Sequence, residues 1–120
     1  MSQDNTAHDP SCIFCKIVAG QIPAKKVFED DDIIAFHDIH PWAPVHILII
    51  PKQHITSMVD VGAQHAPVLG KMLAVSPGLM HELGVTNGYR HVINTGPDGR
   101  QEVMHVHLHV MGGPRPWLKG

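Results

Sequence analysis

Cysteine, long apolar runs and excess positive charge are all scarce in this chain. Only 2 of its 120 residues are cysteine, too few for the disulfide framework that staples small secreted domains. Apolar runs stop at four residues, as at 47–50, far short of the roughly 20 that a membrane-spanning helix requires. No membrane partner is therefore expected. Nine Lys and Arg against eleven Asp and Glu give a formal charge of −2, so a cationic groove for nucleic acid is not expected either. Residues 1–11 are polar and acidic and lack the apolar stretch of a secretory signal. They read as a flexible arm on a cytoplasmic protein. What remains is ordinary for one globular domain: 43% hydrophobic and 17% charged residues in 120 positions.

The pattern along the chain predicts alternating elements. Residues 12–19 read as a short helix capped by Ser11 and stopped by Gly20. Residues 27–29 and 33–37 read as a hairpin around the turn Asp30-Asp31-Asp32. Pro41 and Pro44 keep 40–44 out of any regular element. Residues 45–50 are a β-branched apolar run interrupted only by His46 and ended by Pro51, the signature of a strand covered on both faces. Leu69, Met72, Leu73, Leu79, Met80 and Leu83 repeat at helical spacing within 66–84, with Pro67 in the first turn and Gly84 at the stop. Pro77 inside this span predicts a kink or an end to its first half. Residues 89–95 and 102–111 read as strands around the turn-forming 96–100. This order specifies an α+β fold on a mainly antiparallel sheet.

The chain holds eleven histidines, and three stand in strict alternation at His105, His107 and His109. In a strand, residues two apart share a face. The three imidazoles then project together, while Met104, Val106, Leu108 and Val110 face the opposite way. A core has no use for three such rings, since burying one unpartnered polar group costs a few kcal/mol. Imidazoles on one face can ligate a metal or can attack an electrophile and move protons near neutral pH. No carboxylate follows in 111–116 to complete a His-x-His metal site. Separately, Cys12 and Cys15 form a Cys-x-x-Cys pair, half of a tetrahedral zinc site. His8, His40, His65 and His81 stand in polar or loop contexts and read as solvated.

The run His-Val-His-Leu-His-Val-Met (105–111) resembles the histidine triad signature, His-φ-His-φ-His-φ-φ with φ apolar. The likeness extends to 22–24, 35–39, 44–51, 88–90, Asn94, Gly96, 98–99 and 101–103, covering essentially 12–113 as one domain with a C-terminal tail at 114–120. His109 in the last triad position is similar to the nucleotide-binding Hint branch of the histidine triad (HIT) superfamily, in its bacterial form; branches that act on dinucleoside polyphosphates carry glutamine there. The resemblance implies a HIT fold: a five-stranded sheet, one short and one long helix, and a homodimer whose two sheets run on as ten strands. It implies a purine nucleoside phosphoramidase that cuts the P–N bond of AMP- or GMP-amines through a nucleotidyl-histidine. A dinucleoside polyphosphate hydrolase and a nucleotide-binding scaffold are the alternatives. By the same likeness His107 is the nucleophile, His109 binds phosphate and steers protons, and His46 supports the triad with His105. Asp38 takes the ribose hydroxyls. Ile13, Phe14, Ile17, Ile22, Phe36, Ile39 and Leu48 form the purine slot, and Asn94, Gln101 and Val103 lie at the phosphate or leaving group. Glu102, where animal members carry serine, is suited to receive a leaving amine. Trp117 in the tail is suited to influence the leaving-group side. The likeness also implies a structural zinc on Cys12, Cys15, His54 and His105, with no organic cofactor.

Overall fold

The computed structural model describes residues 8–118. Residues 1–7 of the expected arm and the last two of the tail lie outside the described residues. The chain builds strands β1 (Lys26–Glu29), β2 (Ile33–His37), β3 (Val45–Pro51), β4 (Tyr89–Val92) and β5 (Leu108–Gly112), with helices α1 (Ile13–Val18) and α2 (Ala66–Glu82). The strands form one antiparallel sheet in the order β1-β2-β3-β5-β4. This is the expected α+β architecture of five strands with one short and one long helix.

The sheet has an apolar layer on each face. Ile33, Ala35, Ile47, Ile49, Leu108 and Val110 join Met72, Leu79 and Met80 of α2 in one core. Ile34, Phe36, Leu48 and Ile50 join Phe14 and Ile17 of α1 in the other. Strand β3 is covered on both sides, with every residue after Val45 buried, and each such aliphatic side chain contributes about 1.5–3 kcal/mol. Asp30 makes the first hairpin tight: its Oδ1 accepts from the backbone N–H of Asp32 (2.8 Å) and Ile33 (3.0 Å), an Asx turn.

Several boundaries differ from the sequence reading, each for a local reason. The cap of α1 is Cys12, whose Sγ accepts from Cys15 N at 3.4 Å, because the Ser11 hydroxyl donates to Asp9 instead. Helix α2 runs unbroken through Pro77. Proline has no N–H for the carbonyl of Leu73, and Ser76 Oγ donates to that carbonyl at 2.7 Å in its place. Leu73 is 48% exposed and lies off the buried face. The strand expected at 89–95 ends at Val92. The strand expected at 102–111 begins only at Leu108, because side chains upstream of it bond the backbone and compete with the ladder: His107 Nδ1 sits 2.7 Å from His105 O. Met104 is consequently 48% exposed and outside the core, while Val106 still reaches it. His65 is buried, with its Nδ1 accepting from Gly62 N at 2.9 Å; it is a local capping group, not a solvated one.

Candidate active site and metal centre

The two histidines of β5 and its approach come together despite the lost strand. His107 and His109 have ring centroids 5.0 Å apart, and Phe14 of α1 stands edge-on to both His105 and His107. Antiparallel pairing places His109 opposite Leu48 on β3. His46, two residues back along β3, then reaches it, with Nε2 2.9 Å from His109 Nδ1. Asp38 closes the group, its Oδ2 3.4 Å from His46 Nε2.

Hydrogen bonds fix the protons in this cluster. The carbonyl of His105 can only accept, so His107 carries its proton on Nδ1 and presents an Nε2 lone pair. Burial holds the His107 ring below the usual imidazole range, opposed by its bond to the His105 carbonyl and by the charges of Asp38 and Glu102. Burial, with the nearby His107 and His46, pushes His109 down to about 4. Burial lowers His46 as well, against the pull of Asp38. All three rings are therefore neutral at pH 7. His107 keeps 5% of its surface and His109 is half-buried. A cavity of about 510 Å³ lies elsewhere, between the end of α2, β4 and the tail, lined by Tyr89, Arg90, Arg115 and Trp117 among others.

His105 lies in a thiol cluster. Its Nδ1 lies 3.4 Å from Cys12 Sγ and 3.6 Å from Cys15 Sγ, and His54 Nδ1 lies 3.3 Å from Cys15 Sγ. All four ligand atoms fall within 4.8 Å of one another. Tetrahedral bonds of about 2.3 Å to sulfur and about 2.0–2.1 Å to nitrogen make an S···N edge of about 3.5 Å, and the set fits that shape. The outer nitrogens are anchored as second-shell partners should be: His105 Nε2–H donates to Pro51 O at 2.8 Å, and His54 Nε2 meets Thr56 Oγ1 at 3.1 Å. His105 Nδ1 is thus a lone pair available to a metal, and His54 Nδ1 is one when Thr56 Oγ1 accepts. Burial pushes the Cys15 thiol up to about 11, so its deprotonation calls for a cation at the centre.

Asp38, His46 and His109 also lie within 4.8 Å of one another, but their protons argue against a metal there. The N–H of Trp42 donates to His46 Nδ1 at 3.0 Å. His46 must then hold its own proton on Nε2, the atom a metal would need.

The remaining expected site residues divide. Phe14, Ile17, Phe36 and Leu48 are buried in the α1-side core, with Ile22 packed on it. Ile13 and Ile39, the neighbours of Phe14 and Asp38, are 48% and 85% exposed. Glu102 is exposed and Val103 half-buried. Asn94 Nδ2 donates to Gly99 O at 2.7 Å. The amide of Gln101 accepts from Gly96 N and donates to Thr56 O and Val103 O, tying the connection between β4 and β5 to the loop after β3. Trp117 donates from Nε1 to Gly113 O, and the guanidinium groups of Arg90 and Arg115 lie 5.2 and 4.7 Å from its ring. The backbone of Trp42 was invisible to sequence reasoning, which reads side chains; the only signal was its place between two prolines.

Proteins of known family match this chain over most of its length. A family model described as the scavenger mRNA decapping enzyme C-terminal binding region matches residues 11–118. Protein HitA of Neisseria gonorrhoeae is 48% identical over 104 residues, 87% of this chain and 97% of its own length. A 14 kDa zinc-binding protein of Zea mays is 44% identical over 107 residues, 88% and 84% of the two chains. Among solved structures, a histidine triad protein from Clostridium difficile superposes with a TM-score of 0.86 at 40% identity, covering 91% of this chain and 96% of that one. A HIT family hydrolase from Legionella pneumophila Philadelphia 1 superposes with a TM-score of 0.84 at 47% identity, covering 88% and 95%.

Proposed function

The chain belongs to the histidine triad family, close to HitA and the 14 kDa zinc-binding protein of its Hint branch, and from that premise we propose that it is a hydrolase cutting the P–N bond of purine nucleoside phosphoramidates. The observation that carries this reading is the 2.7 Å bond from His107 Nδ1–H to the His105 carbonyl. It leaves a neutral imidazole with an unprotonated Nε2, the state a nucleophile needs.

The chemistry proceeds in two displacements. His107 Nε2 attacks the α-phosphorus; a new P–N bond forms to the ring as the P–N bond to the amine breaks, and the amine departs with the proton of His109 Nε2–H. Water then attacks the same phosphorus, the ring's P–N bond breaks, the hydroxyl of that water stays on the released AMP or GMP, and its second proton returns to His109. The first step exchanges one P–N bond for another and so need not be steeply uphill. His109 Nε2–H, directed away from His46, is the donor for the phosphoryl oxygen or the leaving nitrogen. One such aimed donor contributes roughly 2.7–4 kcal/mol.

Asp38 takes the ribose hydroxyls, the exposed Ile13 and Ile39 with Phe14, Ile17, Ile22, Phe36 and Leu48 form the purine slot, and Asn94, Gln101 and Val103 flank the phosphate. Glu102, whose charge already reaches His107, receives a cationic leaving amine. Zn²⁺ is the metal that Cys12, Cys15, His54 and His105 suit, and when bound it supplies a structural cross-link between α1 and the approach to β5. The exposed edge strand β4 pairs with its copy in a homodimer, extending the sheet to ten strands. Mass spectrometry of protein quenched during turnover of adenosine phosphoramidate tests the reading. It should find adenylate on His107; full turnover in His107→Ala overturns it. Binding of AMP without turnover leaves a nucleotide-binding scaffold instead.

A further inference from the structure

We propose that the backbone N–H of Trp42, held in place by the C-terminal strap 113–118, is the positioning group that gives the His46–His109 relay its direction. The inference deepens the reading above, on which its kinetic part rests, while its structural part stands alone.

A neutral imidazole has one N–H and one lone pair, and a hydrogen-bonded neighbour decides which nitrogen holds which. At His46 the neighbour is a peptide N–H, which cannot accept. Trp42 N donates to His46 Nδ1 at 3.0 Å. His46 therefore carries its proton on Nε2, 2.9 Å from His109 Nδ1. That nitrogen of His109 must accept, so the His109 proton lies on Nε2. One peptide group thus sets two tautomers in series, and the last N–H of the series is the donor at the triad. Were the Trp42 peptide to turn away, His46 could protonate Nδ1 and present a lone pair to His109. His109 would then donate backwards and present no N–H to the phosphate.

Such a group must be held, and the surroundings hold it. Residue 42 lies between Pro41 and the Ala43-Pro44 pair, outside the ladder, where proline restricts both its own φ and the residue before it. The loop is fastened at its start by Asp38 N donating to His46 O at 2.9 Å and by His40 N donating to Asp38 Oδ1 at 2.8 Å. The strap closes it from outside. Gly113, at φ +110, passes so near Pro44 that a Cβ there would stand 2.7 Å from the proline ring. Leu118 N then donates to Trp42 O at 2.8 Å. Both backbone polar groups of Trp42 are thereby engaged, one by the relay and one by the strap. The indole stands edge-on to His46 at 6.2 Å, but the argument needs only the peptide.

Imidazole nitrogen NMR on the full-length protein at pH 7 reads the tautomers without substrate. The wild type should show both His46 and His109 protonated at Nε2. Trp42→Pro removes the N–H, and the His46 signal should move to the Nδ1–H form or to exchange between the two. Trp42→Ala keeps the N–H and should keep the wild-type tautomer pair. Leu118→Pro, which removes the strap's donor far from the sheet, should give a partial shift and serves if Trp42→Pro does not fold. In turnover of adenosine phosphoramidate, Trp42→Pro should lose kcat by roughly 10²-fold, the scale of one misdirected donor, with little change in KM. An Nδ1–H tautomer at His46 in the wild type overturns the inference. So does an unchanged kcat in a Trp42→Pro protein that has lost the tautomer. If the wild type itself turns over no phosphoramidate, the proposed function falls, and the tautomer comparison alone decides the positioning role.

Discussion

The two histidine clusters lie along one strand and its approach, yet their neighbours assign them opposite work. Around His105 the partners are two thiols and a second imidazole, with carbonyl and hydroxyl oxygens behind the rings. The inward nitrogen of His105 is a lone pair, and the four ligand atoms suit a cation. Around His109 the partners are an imidazole and a carboxylate, and a peptide N–H behind His46 loads a proton onto the inward nitrogen. That set is already complete without a metal. The same side chain becomes a ligand or a relay according to whether an acceptor or a donor stands behind it.

Substitutions should separate the two. The largest effect belongs to His107→Ala, which should cut phosphoramidate turnover by on the order of 10⁴-fold or more and leave metal content intact; phosphorus NMR and elemental analysis report the two quantities. Next comes the metal. Stripping it with a chelator, or Cys15→Ser, should lower unfolding free energy by about 4 kcal/mol relative to protein in zinc a thousandfold above its Kd, as read by urea titration. Re-addition should restore a single equivalent, and a second tightly held equivalent would break the contrast drawn for Asp38, His46 and His109.

Acid should weaken the relay side more gradually. Unfolded histidine takes its proton near pH 6.5, while His109 in the fold takes it only at about 4, and His46 and His107 also lie below their usual range. Between pH 6.5 and 4 the unfolded chain binds more protons. Stability should therefore fall as pH drops through that window, with His105 contributing in the same direction, and go on falling below it as Glu29 and Asp30 take their protons, measured by urea midpoints on the metal-stripped protein. The smallest effect is expected from Glu102→Ser. It should reduce the preference for cationic over neutral leaving amines by about 1 kcal/mol or less, since the carboxylate is exposed. Competition assays with paired phosphoramidates read that ratio.

Much of this arrangement was legible beforehand because periodicity is a local property. The alternation of His105, His107 and His109 against Val106, Leu108 and Val110 survives in the fold, even though only the last part is a strand. The Cys-x-x-Cys pair and the distant His54 meet as expected. What was hidden depends on single hydrogen bonds made across the chain. Pro77 argues for a break until the Ser76 hydroxyl is seen on Leu73 O. Helical spacing counts Leu73 inward, but the buried face is narrower and centres on Met72, Ser76 and Leu79. His65 looks solvated until Gly62 N is found on its ring. A backbone donor such as Trp42 N–H leaves no trace in side-chain pattern at all.

Ser76 carries a burden beyond its size. Its one hydroxyl proton goes to the carbonyl that Pro77 leaves unserved, so the oxygen is free to accept from His91 Nε2 on β4, 2.8 Å away. Residues 76, 77 and 91 therefore share one hydroxyl. While proline follows it, alanine at 76 strands a carbonyl and also unhooks helix from edge strand at His91. An engineer who removes that hydroxyl must first give the helix back its missing N–H at 77.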